Sequence, residues 1–306
     1  MKQARWVWYE LMADTLRRKL GFKRIHSDAG VYVLRRQGGN QTEIILILYV
    51  DDLLIMGNDL SMINKIKKKL GEAYHMKDLG AAQSYLGIRI TRDCTHRCIW
   101  IDQEAYINSA LSQFHLMDAN DTKTPLPAGF HLTKSENPSS TNLRTKYQQL
   151  ICTLLYAALG TIPDIAFAVT RLSRFNSDPT EEHLRYVKYV LRYLKGTKSL
   201  RICYDGSSNA GLIGYSDSDW GKNKDDRHST SGQVFTLAMS IQNWDIRLYR
   251  RQDLSGSRKT FPHWAISTMW WMTQHLRDKG TTHVHRIRDK GTGFDHKGHS
   301  LLTADG

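Results

Sequence analysis

No glutamate occurs beyond Glu182 in this chain of 306 residues. A carboxylate site that needs a glutamate is therefore excluded from everything that follows. Cysteine is scarce too. Cys94, Cys98, Cys152 and Cys203 are too few to staple a chain of this length, so a disulfide framework is not expected. Long apolar runs are missing. The most apolar stretch, residues 44–56, is too short to span a bilayer and carries two aspartates at its centre. Met1 is followed by Lys-Gln-Ala-Arg rather than by an apolar signal core. The expectation is a soluble protein of a reducing compartment, with no membrane partner. Acidic residues are outnumbered: 43 Lys and Arg face 30 Asp and Glu, for a net charge of +13. Such a balance favours a polyanionic partner, nucleic acid being the commonest, unless the basic residues only solvate the surface.

What is present suffices for two domains. A hydrophobic content of 41% with 24% charged residues is that of a folded chain. Residues 6–20 place Trp8, Leu11, Met12, Thr15 and Leu16 on one helical face, closed by Gly21. The β-branched-rich runs 44–50 and 53–56 read as a hairpin of buried strands with Asp51 and Asp52 at its tip. A helix over about 61–70 turns Ile63, Ile66 and Leu70 inward and Lys65, Lys67, Lys68 and Lys69 outward. Residues 84–91 and 97–101 read as a second strand pair, and 103–116 as a helix. Residues 118–145 are polar, contain Pro125, Pro127 and Pro138, and read as a linker.

Three helices should follow. For the last, Asp178 is the candidate N-cap, Pro179 the first helical residue and Gly196 the terminator. Its core stripe is Leu184, Val187, Leu191 and Leu194. Its outer face carries Arg185, Lys188, Arg192 and Lys195 as one basic ridge. The ridge could follow a phosphate backbone or be a solvated face. Residues 212–220 then alternate with period two, setting Ile213, Tyr215, Asp217 and Asp219 on one strand face, with 231–237 as an antiparallel partner. Beyond about residue 240 no period persists, and six of the thirteen histidines fall after position 260. That stretch reads as a disordered basic tail or as codons in another frame.

Buried aspartates need a cation, and Mg²⁺ prefers oxygen ligands, so Asp51-Asp52 is the central candidate site. Successive strand residues face opposite ways, so one of the pair would be the principal ligand and the other its support. An ordinary acidic turn is the alternative. Cys94-x-His96-x-Cys98 lacks a fourth ligand for zinc. His283-x-His285 and Trp270-Trp271 stand in the unpatterned segment, where a metal site or a stacking platform is disfavoured.

The run LYVDDLLIMG (residues 48–57) closely resembles the palm motif of copia-type retrotransposon reverse transcriptases. The likeness extends in family order through residues 3–33, through MKDLGAAQSYLGIRI, through residues 147–197, and through LIGYSDSDWGKNKDDRHSTSGQVFTL. The first two of these resemble the lead-in to the hairpin and a primer grip. The last two resemble a helical connection and the opening strands of an RNase H domain. The resemblance implies RNA- and DNA-templated DNA synthesis, with RNA template, DNA primer and deoxynucleoside triphosphates as partners. Asp51 and Asp52 would then be Mg²⁺ ligands. It also implies hydrolysis of RNA–DNA hybrids, with Asp217 as an RNase H carboxylate and metal ligand and Asp219 a weaker candidate.

On that resemblance the expected fold is α+β. Residues 1–117 would form a partial palm and the start of the thumb, 118–145 a linker, and 146–198 a helical connection. Residues 199–240 would be a truncated RNase H-like start, and 241–306 an irregular basic tail. The family's first palm aspartate would lie before residue 1, and its RNase H glutamate is not to be found after Glu182. The expectation is therefore an incomplete, inactive enzyme fragment, with a non-catalytic nucleic-acid-binding remnant or a pseudogene product as alternatives.

Overall fold

The two apolar runs around Asp51 and Asp52 do pair with each other in the computed structural model. It describes residues 2–36, 42–134, 139–207, 211–219, 229–237, 240–249 and 283–289. In chain order the elements begin with α1 (Lys2–Asp14), a π-helical turn (Thr15–Lys19), β1 (Lys23–Arg24), β2 (Val31–Arg36), β3 (Thr42–Tyr49) and β4 (Asp52–Gly57). Then come α2 (Leu60–Ala73), β5 (Met76–Ala81), β6 (Ser84–Tyr85), β7 (Ile88–Asp93), β8 (Cys98–Asp102) and α3 (Glu104–Gln113). They are followed by α4 (Thr141–Gly160), a 3₁₀ turn (Pro163–Ile165), α5 (Ala166–Ser173) and α6 (Glu181–Thr197). The last are β9 (Ile202–Asp205), β10 (Ile213–Ser218), β11 (Ser229–Leu237), β12 (Ser240–Tyr249) and β13 (His283–Asp289). The fold is thus mixed, with six α-helices and several antiparallel sheets among the described residues. It divides into two units, Met1–Tyr85 with Ile266–Gly306, and Leu86–Ala265.

The first unit is built on a six-stranded sheet in the order β1-β2-β3-β4-β13-β5. β13 runs antiparallel to both β4 and β5, so those two run parallel to each other. Joined by α2, they make a split β-α-β unit whose middle strand comes from far along the chain. The 283–289 segment, expected to be irregular, is therefore a central strand. Its alternation is hard to see because each face carries one apolar residue, Val284 on one and Ile287 on the other, both buried. α1 and α2 close one face of the sheet. Met12 and Leu16, with Ile63, Ile66 and Leu70, pack on Leu46, Leu53, Ile55 and Ile287. Asp59 caps α2 by accepting from the Met62 amide at 3.0 Å. Gly57 ends β4 where no side chain fits, since a Cβ there would stand 2.9 Å from the Glu43 carbonyl oxygen.

In the second unit β8 pairs antiparallel with both β7 and β9. The helices α3–α6 enclose a core that includes Ile107, Tyr147, Leu154, Val169, Leu172, Val187 and Leu191. Residues 118–134 carry neither helix nor strand, but α4 begins at Thr141, inside the 118–145 stretch expected to be a linker. They are not a loose tether, however: Leu126, Phe130 and Leu132 pack on the helical core. The start of α6 differs from expectation. Thr180, not Asp178, is the N-cap, and its hydroxyl accepts from the His183 amide at 3.2 Å while His183 Nδ1 accepts from the Thr180 amide at 2.9 Å. This reciprocal pair is a capping box with histidine in the place usual for glutamate. Asp178 instead accepts from the Ser139 amide. Gly196 does not end the helix, which continues to Thr197. A Cβ there would lie 2.8 Å from a carboxylate oxygen of Asp121, so the helix passes close to that side chain. A further sheet runs β10-β11-β12. β12 had no periodic signature. Backbone pairing to β11, with a register shift at Phe235/Thr236, makes it a strand.

Candidate functional site

The hairpin tip follows from the β3–β4 register. Tyr49 pairs with Asp52, which leaves Val50 and Asp51 as a two-residue turn. Val50 has φ +50°, a conformation that costs a β-branched residue roughly 1–2 kcal/mol. The turn is pinned from outside, because Trp8 Nε1 donates to the Val50 carbonyl at 2.9 Å. A strained, pinned turn at a carboxylate pair is the kind of outlier that marks a functional constraint.

The two aspartates are not equivalent, as strand geometry anticipates. Asp51 is exposed and Asp52 is 7% exposed. Both Asp52 oxygens are held by guanidinium groups of β13. Arg286 Nη2 donates to Oδ1 at 3.0 Å and to Oδ2 at 3.2 Å, and its Nε reaches Oδ1 at 3.3 Å. Arg288 donates from Nε to Oδ1 at 2.9 Å and from Nη2 to Oδ2 at 3.1 Å. Arg286 is anchored in turn, since its Nη1 donates to the Ser84 carbonyl and hydroxyl, each at 3.1 Å. Burial by itself pushes the Asp52 carboxyl upward, but hydrogen bonds and charge from Arg288 and Arg286 outweigh it and hold the pKa below the ordinary value. Tyr85, 7% exposed, is pushed up first by burial and then by the Asp52 charge, and its hydroxyl finds no hydrogen-bond partner among the described residues.

On the opposite face of β13, Lys67 Nζ bridges Asp78 Oδ2 at 2.7 Å and His285 Nδ1 at 3.3 Å. Lys67 therefore does not point outward with Lys65, Lys68 and Lys69, and its side chain is 12% exposed. These hydrogen bonds place His285 against a lysine. Trp270-Trp271 lies outside the described residues.

Do these residues fit a divalent ion? A carboxylate offers about four lone-pair positions. The two guanidiniums direct five hydrogen bonds at the Asp52 carboxylate. The arrangement does not fit a metal at Asp52, and no group of three or more His, Cys, Asp or Glu suited to a metal occurs among the described residues.

The other candidates lie in the second unit. Asp217 stands in β10 opposite Gly232, and its Oδ1 accepts from the Ser218 amide at 2.8 Å. Asp219 just beyond it accepts from the Thr230 amide at 2.9 Å. All six residues of β10 are exposed. The α6 ridge is partly engaged within the chain. Arg185 pairs with Glu182 at 3.2 Å, Arg192 Nε donates to the Asn120 carbonyl, and Lys195 Nζ donates to the Ala119 carbonyl at 2.8 Å. Lys188 lies on the same ridge, half-buried. Cys94, His96 and Cys98 lie at the β7–β8 turn, where Asp93 binds the Thr95 and His96 amides and the His96 ring.

Arg286 and Arg288 are the site residues that sequence reading missed. The one signal was the pair of arginines two apart in an alternating run, which puts both on one strand face.

Comparison with known proteins finds a family match over the part of the chain that contains the hairpin. A model of the family described as reverse transcriptase (RNA-dependent DNA polymerase) matches residues 1–128. The chain is 36% identical over 288 residues to the retrovirus-related Pol polyprotein from transposon TNT 1-94 of Nicotiana tabacum, covering 92% of this chain and 21% of that protein. It is 32% identical over 282 residues to the Pol polyprotein from transposon RE1 of Arabidopsis thaliana, covering 92% and 19%. It is also 34% identical over 244 residues to a Saccharomyces cerevisiae protein named for transposon Ty5-1, YCL074W, covering 80% and 77%. No solved structure matches. The class is thus one of reverse-transcriptase-bearing proteins. Within it, the chain belongs to the copia-like retrotransposon Pol polyprotein family, and it spans about a fifth of the length of the Pol polyproteins it matches.

Proposed function

We propose that this chain is a reverse-transcriptase and RNase H portion of a copia-type polyprotein that binds template–primer but does not by itself catalyse templated synthesis. Residues 1–117 would be palm and early thumb, 118–145 a linker that runs into the first turn of α4, 146–198 the connection, and 199–240 the opening of the RNase H sheet. The remainder, 241–306, is a basic segment. Asp51 and Asp52 would be the polymerase-type carboxylates and Asp217 an RNase H carboxylate. The partners would be RNA template, DNA primer and RNA–DNA hybrid. The observation that carries the reading is the carboxylate-tipped hairpin, with Val50 strained and pinned by Trp8. Its catalytic incompleteness rests on Asp52, which is neutralised by arginines, and on the lack of any glutamate after Glu182.

The test is primer extension on an RNA template with Mg²⁺ and deoxynucleoside triphosphates. No extension is expected above that of the Asp51→Asn variant. Extension by the parent chain that disappears in Asp51→Asn would overturn the inactivity.

A second reading, a retained remnant that binds nucleic acid through its basic surface with no part in synthesis, is favoured by a groove of about 370 Å³ beside α2. It is lined by Leu20, Leu34 and Ile66 together with Arg36, Lys65, Lys68, Lys69 and one acid, Glu72, which lies 4.0 Å from Lys68.

A further inference from the structure

We infer that β13 is an internal substitute for a metal ion: Arg286 and Arg288 together occupy the cation position at Asp52 and keep divalent ions off the hairpin tip. The identification of Asp51 and Asp52 as polymerase-type carboxylates tells which ion is displaced, so to that extent the inference rests on the proposed function. The clamp itself does not.

Three features carry it. The first is saturation. The five guanidinium hydrogen bonds cover both oxygens of Asp52 from two directions, so no lone pair is left for a hydrated ion. Two unit charges also deliver the same compensation as one divalent cation. The second is that the substitution is built into the sheet. Residues 283–288 register against 57–52 of β4 on one side, while β5 pairs on the other, and Val284 and Ile287 are buried. Arg286 is further fixed by the Ser84 carbonyl and hydroxyl. Arg286, its side chain 14% exposed, cannot swing away as a surface side chain does, and admitting a metal would require it to leave Ser84; Arg288 is more exposed and adds the second charge. The third is chemical mismatch. Mg²⁺ sheds water reluctantly and wants an octahedron of oxygens, whereas an ion beside Asp52 would face two cations, one of them held in place by Ser84. Asp51, exposed and one residue away, is left as a lone carboxylate ligand at the tip.

The state that results is a latch. The strand that completes the β4–β5 gap also closes the site on that gap, so filling the sheet and blocking the centre are one event. Opening the latch should convert the Asp51-Asp52 tip into an oxygen-donor site for Mg²⁺ or Mn²⁺.

Mn²⁺ binding to the full chain tests this. Trp8 reports on the tip because its indole N–H donates to Val50, and Mn²⁺ bound at Asp51 and Asp52 would broaden its nitrogen-edited NMR signal. In the parent chain the Trp8 signal should persist at Mn²⁺ concentrations that broaden it in Arg286→Gln/Arg288→Gln. The double variant should bind Mn²⁺ roughly tenfold tighter or more, the scale on which a ligand's partners move metal affinity. Adding Asp52→Asn to the double variant should remove the gain. Equal broadening in the parent, or a double variant of parental circular dichroism that binds no Mn²⁺, would overturn the inference.

Should the double variant lose its folded signature, the parent chain still decides. The Nε–H signals of Arg286 and Arg288 should shift in Asp52→Asn and stay unmoved by Mg²⁺. Movement with Mg²⁺ would refute the latch. These readouts use no polymerase activity, so a failed latch and a failed functional reading give different results.

Discussion

At Asp52 burial and charge pull in opposite directions, and the arginines win. A carboxylate 7% exposed would be pushed towards its neutral form, yet two guanidiniums keep it ionised. Val50, two residues earlier, is held in a backbone region that its branched side chain resists. Because Val50 is 40% exposed, little packing compensates. Val50→Gly should therefore relieve about 1–2 kcal/mol of conformational cost while adding about 0.5–1 kcal/mol of chain entropy to lose. The expected net is a stabilisation of about 0.5–1 kcal/mol, read as a higher denaturant midpoint at unchanged slope. A lower midpoint would show that the turn is not strained. The aspartate pair was legible in sequence because it is local: two adjacent acids between apolar runs need no third element to be noticed. Its partners were not, because Arg286 and Arg288 stand 234 and 236 positions away and only the sheet brings them close.

Among the elements, α6 shows how a correct pattern can carry a wrong boundary. The stripe Leu184, Val187, Leu191 and Leu194 is buried as spacing demands. The cap is not where Asp178-Pro179 suggested, because Thr180 and His183 satisfy each other's amides and Asp178 is engaged by Ser139. His183 also stacks on Phe175 with ring centroids 4.0 Å apart, and its Nε2 lies 3.2 Å from the Thr133 carbonyl. Thr180→Ala should cost about 1 kcal/mol, the usual worth of an N-cap. His183→Ala should cost more, about 2–3 kcal/mol, since it also opens a buried space. Urea unfolding of the full chain ranks them, and equal costs would mean the ring does nothing beyond capping. β13 was missed for a different reason. A strand with one apolar residue per face has almost no periodic signal, and it is a strand because β4 and β5 offer it unpaired backbone on both sides.

Across the whole molecule, the charge of +13 is distributed unevenly in what it can do. On α6, Arg192 and Lys195 hold the 119–120 carbonyls, whereas Lys65, Lys68 and Lys69 of α2 are exposed beside an apolar groove. Binding to an RNA–DNA hybrid should weaken steeply with salt. Replacing Lys65, Lys68 and Lys69 by glutamine should lower the slope of log affinity against log salt by about 2–3, near one for each phosphate no longer neutralised. An unchanged slope would place the nucleic acid elsewhere.

The sequence by itself determined the family, the hairpin with its two acids, the amphipathic faces of the helices and the basic balance of charge. Each depends on residues close in the chain or on simple sums. Only the tertiary structure decided what Asp52 faces, how far the 118–134 segment is tied down, and which strand fills the gap beside β4. Those outcomes rest on hydrogen bonds and ion pairs between residues far apart in the chain, and no local pattern encodes them. The opposition of Asp52 to Arg286 and Arg288 is one such outcome, and it separates membership of a polymerase family from possession of an open metal centre.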